Sequence, residues 1–360
     1  IMAYLSFDKP VSKFKILDYT GNAAANVITG VGFAPAFSWF KSTSNTNSHA
    51  IFNTLMTTYS VSPNGNAAQY NGSGDGFTSL DSDGFTFNGS GGGGGTNASG
   101  FGYRSWNWIG GTTAVPSGSD VTVDACDINV AAGMGMYKYT GNGSGGAILK
   151  HGLGRTPQFI MIKNIDTAST DWACYHAKVD TDLTQAGDYF LRLNTTAARS
   201  NNAGYFNDSV TTDTDIVLGA DNPVNQSSQQ LIMFAFCNVP GFSHMGSYYG
   251  TNRTHGSLVY TGFKPAYIMI KSAAGVEGWN IFDFVSNPVN IANKNLMANT
   301  NAAVATNGSG AADKRIDILS NGFRIDTTST ELSPDGGGMI YAAFAEHPLV
   351  SNNGDAATAR

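Results

Sequence analysis

The residues able to do chemistry are few, and their spacing suits it poorly. Cutting a glycosidic bond takes two facing carboxylates about 5–10 Å apart. Of 360 residues, only Glu277, Glu331 and Glu346 are glutamates. Two of them stand in or beside predicted turns. Glu346 ends a predicted strand, and its counterparts in the repeat described below are Asn238 and Trp108. The pairs Asp81/Asp83 and Asp213/Asp215 fit one strand face or one turn. They offer either hard oxygen ligands for Ca²⁺ or solvated turn acids. The six histidines form no His-x-x-x-His pair and no His-Glu motif. His151 and His255 precede the repeated strand, which predicts packing or hydrogen-bonding roles. Gly141 to Gly146 fits Gly-x-Gly-x-x-Gly, but Ala147-Ile148-Leu149 reads as a strand where a dinucleotide site needs a helix. No nucleophile elbow and no Walker loop is present. Cys126, Cys174 and Cys237 are odd in number and far apart, so no disulfide framework is expected. The five tryptophans lie in repeated strands, where they pack a core. Trp108, at a strand end beside Gly110-Gly111, is the one best placed to meet a ligand. The candidate ligand-binding residues are therefore Trp108, Asp81 and Asp83. No catalytic residue, no cofactor and no metal site is expected.

The elements that carry these residues come from a threefold repeat. Gly32 to Lys41, Gly154 to Lys163 and Gly262 to Lys271 share a Gly three residues before a Pro and a Lys six after it. Pro35, Pro157 and Pro265 lie 122 (157 − 35) and 108 (265 − 157) residues apart. Those periods are domain-sized, beyond the roughly 20–50 residues of a solenoid unit. Proline fits the first residue of a strand, since it fixes φ and has no N–H. The run after it is apolar on both faces, which predicts a central strand. Lys41, Lys163 and Lys271 then mark where the strand leaves the core for water. An aromatic-rich strand follows as a hairpin partner: His49 to Asn53, Trp172 to His176 and Trp279 to Asp283. A closing strand carries Trp106, Phe236 and Phe344 as matched positions. These lie 65 (106 − 41), 73 (236 − 163) and 73 (344 − 271) residues beyond the lysines.

The predicted fold is all-β, with three tandem β-sandwich (jelly-roll-like) domains. Residues 14–111, 137–242 and 243–349 form the repeats. Residues 1–13 form a lead-in, 112–136 a spacer and 350–360 a tail. Composition agrees. Charged residues are only 13%, and 44 glycines accompany abundant Asn, Ser and Thr, a mixture that favours strands joined by polar turns. The net charge of −6 lacks the basic face that nucleic acid requires. No apolar run approaches the roughly 18 residues of a membrane span. The N-terminus has no signal-peptide pattern, and the lead-in is too short for a shaft.

Several landmarks recur together. They are Tyr139-Thr140-Gly141-Asn142, His151 to Gly154 with Pro157 to Lys163, Trp172 to His176, Leu193 to Ala197, Gly241-Phe242-Ser243 and Tyr341 to Pro348. This set resembles a family of repeated β-domains from virion surface proteins of tailed, often marine, bacteriophages. The ending Ala357 to Arg360 resembles that family's C-terminus. The resemblance is strongest in the second and third repeats, whereas the first keeps Pro35, Lys41 and Trp106. It implies a tail fibre, an adhesin or a structural protein, and brings no catalytic residues. The expectation is thus a non-enzymatic structural protein on the virion exterior, made in the bacterial host cytoplasm: a capsid decoration or knob, or a small appendage subunit. The alternative is a tail-fibre module recognising host surface glycans through loops 88–100, 201–209 and 305–313. Expected partners are other virion proteins, further copies of the chain as a homo-oligomer (a trimer), and a host glycan, but neither nucleic acid nor membrane.

Overall fold

A computed structural model describes residues 13–72, 76–89, 95–180 and 186–346. Most of the predicted lead-in, Gly91 to Gly94, and the tail from His347 lie outside these residues. The fold is all-β, with every paired strand antiparallel and only short helical turns such as Ala203–Phe206.

Each repeat builds one large sheet on the same plan. An opening strand (Phe14–Thr20, Met134–Thr140, Ser243–Tyr249) pairs with a closing strand (Gly102–Ile109, Gln230–Cys237, Gly338–Phe344). The closing strand pairs on its other side with the proline strand (Pro35–Ser42, Pro157–Asn164, Tyr267–Ser272). The proline strand then turns back onto the partner strand (Ala50–Asn53, Ala173–His176, Asn280–Asp283). Pro35 and Pro157 start their strands as the missing N–H predicts, while Pro265 lies two residues ahead of its strand. The proline strands are buried on both faces, as their unbroken apolar runs require.

A smaller sheet faces the large one. In the first repeat it is Ala25–Thr29, Gly84–Asn88 and Phe77–Asp81; in the third it is Leu258–Tyr260, Gly322–Ile325 and Ile316–Leu319. The second keeps only Ala147–Lys150 and Asp215–Leu218. Phe40, Phe52 and Tyr103 of the large sheet pack with Phe77, Phe85 and Phe87 of the small one. Ile268, Ile270 and Tyr341 pack with Ile316, Ile318 and Phe323 in the same way.

Strand register corrects one alignment. Phe37, Phe159 and Tyr267 stand opposite Trp108, Phe236 and Phe344. The counterpart of Phe236 and Phe344 is therefore Trp108, and Trp106 matches Phe234 and Ala342. The counterpart of Glu346 in the first repeat is accordingly Gly110. The spacer is corrected too. Its residues Thr122–Asn129 form an edge strand of the second large sheet, paired with Met134–Thr140.

The three large sheets share one core. The ring centroids of Trp108, Phe236 and Phe344 lie 5.3, 5.6 and 6.1 Å from one another, one residue from each repeat. Phe14, Phe37, Phe159 and Tyr267 surround them. Backbone hydrogen bonds close the arrangement cyclically. Gln69 N–H donates to Ile165 O, Arg199 N–H to Ala273 O, and Val304 N–H to Thr43 O. The acceptors each lie two residues beyond a repeated lysine. First meets second, second meets third, and third returns to the first.

Candidate functional site

The residues singled out for ligand binding turn inward or are locally satisfied. Trp108 is 2% exposed and sits at the centre of the shared core, with no acceptor for its indole N–H. It contacts aromatic rings and cannot meet a solvent ligand. Asp81 accepts the Ser79 and Thr86 hydroxyls, both at 2.6 Å. Asp83 accepts the Gly30 and Gly32 backbone N–H groups and so fixes the turn around Val31. Asp81 braces its own hairpin and Asp83 braces the distant Gly30–Gly32 turn, and among the described residues no three His, Cys, Asp or Glu side chains converge as a metal site would need. Gly141 to Gly146 is a turn into the strand Ala147–Lys150.

The repeated lysines depart most from expectation. Lys41, Lys163 and Lys271 are fully buried and do not reach water. Each ammonium is held by main-chain carbonyls. Lys163 Nζ donates to Thr170 O at 2.8 Å, Asn164 O at 3.0 Å and Asn66 O at 3.4 Å, the last in the first repeat. Lys271 Nζ donates to Ser272 O, Gly275 O and Thr196 O of the second repeat. Lys41 Nζ donates to Ser42 O and Asn45 O. Burial disfavours the charged form and lowers all three from 10.5 to about 8. The lysines tie the loop after the proline strand, and two of them reach the neighbouring repeat.

A second triplet also crosses the junctions. Trp172 Nε1–H donates to Ser62 O, and Trp279 Nε1–H donates to Arg192 O. The first repeat has His49 at this position. Its Nδ1 accepts from Trp39 Nε1–H at 2.8 Å, so its Nε2–H donates to Met297 O at 3.1 Å. Burial lowers the His49 pKa to about 3, and that of His176 to about 4. Further along the same junction Arg104 holds Asp283 and Asp18, the first of them buried. His151 accepts the Leu153 N–H and lies against Thr212 O, a packing role as expected, whereas His255 is 67% exposed beside Asp326.

Among the described residues two surface clefts are candidate sites. One, of about 500 Å³, is lined by Thr46, Asn47, Ser48, Ser62 and Tyr70 together with glycine and alanine. Its lining holds hydroxyls, amides and one aromatic ring, with no charged side chain. The other, of about 330 Å³, lies in the third repeat between Ser243–Tyr249 and Leu258–Tyr260. Nothing in the sequence pattern signals either cleft, because both are bounded by loop and edge residues that differ among the repeats. The lysines did carry a signal: a cation kept three times at one position in a chain so poor in charge.

A domain family of unknown function, DUF7483, matches residues 9–348. The chain belongs to this family. The DUF7483 match runs across all three repeats, in keeping with three sheets that share one core. No curated protein and no solved structure matches the chain.

Proposed function

We propose that this DUF7483 protein is a non-enzymatic structural protein of the exterior of a bacteriophage particle, serving as a capsid decoration or a small appendage subunit. In this proposal one jelly-roll-like β-sandwich was triplicated and fused, and the three copies close on one another. One observation carries it: the polar groups at the repeated positions are spent on holding loops and junctions. Lys163 and Lys271 reach carbonyls of the preceding repeat, and His49, Trp172 and Trp279 hydrogen-bond across to a neighbour. The phage setting comes from the sequence resemblance. Purified virions tested by mass spectrometry and cryo-electron microscopy decide the matter. The chain is expected at stoichiometric copy number on the particle surface, and its absence from purified particles refutes the proposal.

The neutral cleft at Thr46, Ser62 and Tyr70 favours a second reading, a receptor-binding module for host surface glycans. Hydroxyls, amides and an aromatic face suit a hydroxylated, uncharged ligand. A glycan array with the isolated protein tests it. Binding that Tyr70→Ala removes supports the reading, and silence at micromolar protein rejects it.

A further inference from the structure

The three repeats differ in how the open side between their two sheets is closed. In the second repeat the chain closes it with residues 117–129. Ser119 Oγ accepts the Lys150 N–H at 2.9 Å. Asp120 N–H donates to Ile148 O at 2.8 Å, and its carboxylate accepts the Ile148 N–H at 2.9 Å. Val121 is buried in the shared core. Thr122–Asn129 then runs along the opening strand, with Ala125 opposite Lys138. One segment thus seals both sheet edges at once.

The third repeat has the same two edges. Ser247 corresponds to Lys138, since Ser247 stands opposite Ile340 and Lys138 opposite Ile232, each four residues before the axial phenylalanine. Leu258 and Tyr260 correspond to Ile148 and Lys150. They are counted back from Thr261 and His151, whose side chains each accept the N–H two residues on. Only five residues, 238–242, join the second closing strand to the third opening strand, too few to supply a covering strand. Asn238 covers part of the edge, exchanging hydrogen bonds with Met245 N–H and O, and Val239 pairs with Ser243. By the alternation of an antiparallel edge, Ser247 is the next residue facing outward. The cleft of about 330 Å³ lies there, between Ser247 and the facing edge, with Lys178 at its margin. Leu258 and Tyr260 are 69% and 70% exposed.

We propose that this cleft binds an extended segment of another polypeptide by strand addition, in the manner in which residues 117–129 close the second repeat. The occupant has the chemistry of that segment: a hydroxyl and an acid that take the outward N–H groups of the Leu258–Tyr260 edge, a β-branched residue that enters between the sheets, and a strand that continues past Ser247. Lys178 suits the acid. Main-chain ladders supply affinity in such complexes and alternate side chains supply selectivity. The site does not depend on where the protein resides.

The test uses the full chain and a synthetic peptide of residues 117–129 carrying Cys126→Ser. The peptide is expected to bind and to slow amide exchange at Ser247, Leu258 and Tyr260 by about tenfold or more at saturation. Ser247→Pro removes an outward N–H that an edge strand can spare, and it is expected to weaken binding by about tenfold or more. Tyr260→Glu, a surface change, is expected to weaken it as well. Unchanged melting temperatures of both variants exclude misfolding as the cause. No binding at about 1 mM peptide, full affinity in both variants, or protection confined to Lys138 and Ile148 overturns the proposal. So does an oligomer of the chain alone in which these three amides are already protected.

Discussion

Replacing Phe344 by Ala tests whether the three repeats unfold as one body. Phe344 is buried, and its ring lies 5.3 Å from Trp108, 5.6 Å from Phe236, 5.8 Å from Phe14 and 6.1 Å from Tyr267. Truncating such a residue costs about 3–5 kcal/mol. At about 2.1 cal/mol/K per residue, the roughly 320 described residues give an unfolding entropy near 0.7 kcal/mol/K. The melting temperature of the whole should then fall by about 4–7 °C. Were the third repeat an independent unit of about 105 residues, its entropy would be near 0.22 kcal/mol/K and its own transition would fall by about 14–23 °C. Differential scanning calorimetry separates the cases. A shared core predicts one transition of about 230 kcal/mol, with the van 't Hoff enthalpy close to the calorimetric one. A wild-type scan with a van 't Hoff enthalpy near one third of the calorimetric value, or a variant in which one third of the heat moves alone, refutes the shared core.

Three further outcomes follow from the junctions. His49 and His176 are held neutral at pKa values of about 3 and 4, below the unfolded value near 6.5. The unfolded chain therefore takes up protons first, and each histidine should lower stability by about 1.4 kcal/mol per pH unit as pH falls from 6.5 toward 4; urea midpoints at pH 7 and 5 check this, and equal midpoints contradict it. The buried lysines act at the other end. With folded pKa values of about 8 against 10.5, they make stability rise with pH from about 8. Above 9 the raised thiols of Cys174 and Cys237 oppose them. Lys163→Met should remove about one third of the lysine-driven slope between pH 8 and 9, read from urea melts. Gly110→Ala should cost about 1–3 kcal/mol by overpacking, because a Cβ there would lie 2.6 Å from the Asp127 carboxylate and 2.7 Å from Ala36 Cβ; thermal melts check it.

The strands were legible because their signals are local. A proline followed by an apolar run and an aromatic return strand specifies a buried hairpin whatever surrounds it, and Pro35–Ser42 with Ala50–Asn53 is that hairpin. The fate of Lys41, Lys163 and Lys271 was not legible. A lysine after an apolar run reads as an exit to water unless the carbonyls that receive it are known. Two of those, Asn66 O and Thr196 O, come from loops 97 and 75 residues away. Trp106 was matched wrongly because Trp106-Asn107-Trp108 offers two aromatics on one strand face, and only register across to Phe37 chooses between them. Trp108 seemed suited to a ligand for a related reason: the end of its strand points at the molecular axis, a place defined only once three sheets meet. The spacer strand escaped because Asp124 and Asp127 interrupt its apolar pattern. Asp127 there accepts the Gly111 N–H and the Thr54 hydroxyl.

A symmetric trimer displays every surface three times, and any attachment it makes obeys that multiplicity. One chain closing upon itself escapes this rule. Residues 117–129 seal one flank of the second sector, and among the described residues no strand pairs with the matching flank of the third, between Ser247 and Tyr260. A segment docking there fills, off the axis, a flank that the second sector fills from its own chain, and so it sets one sector of the triplicated frame apart.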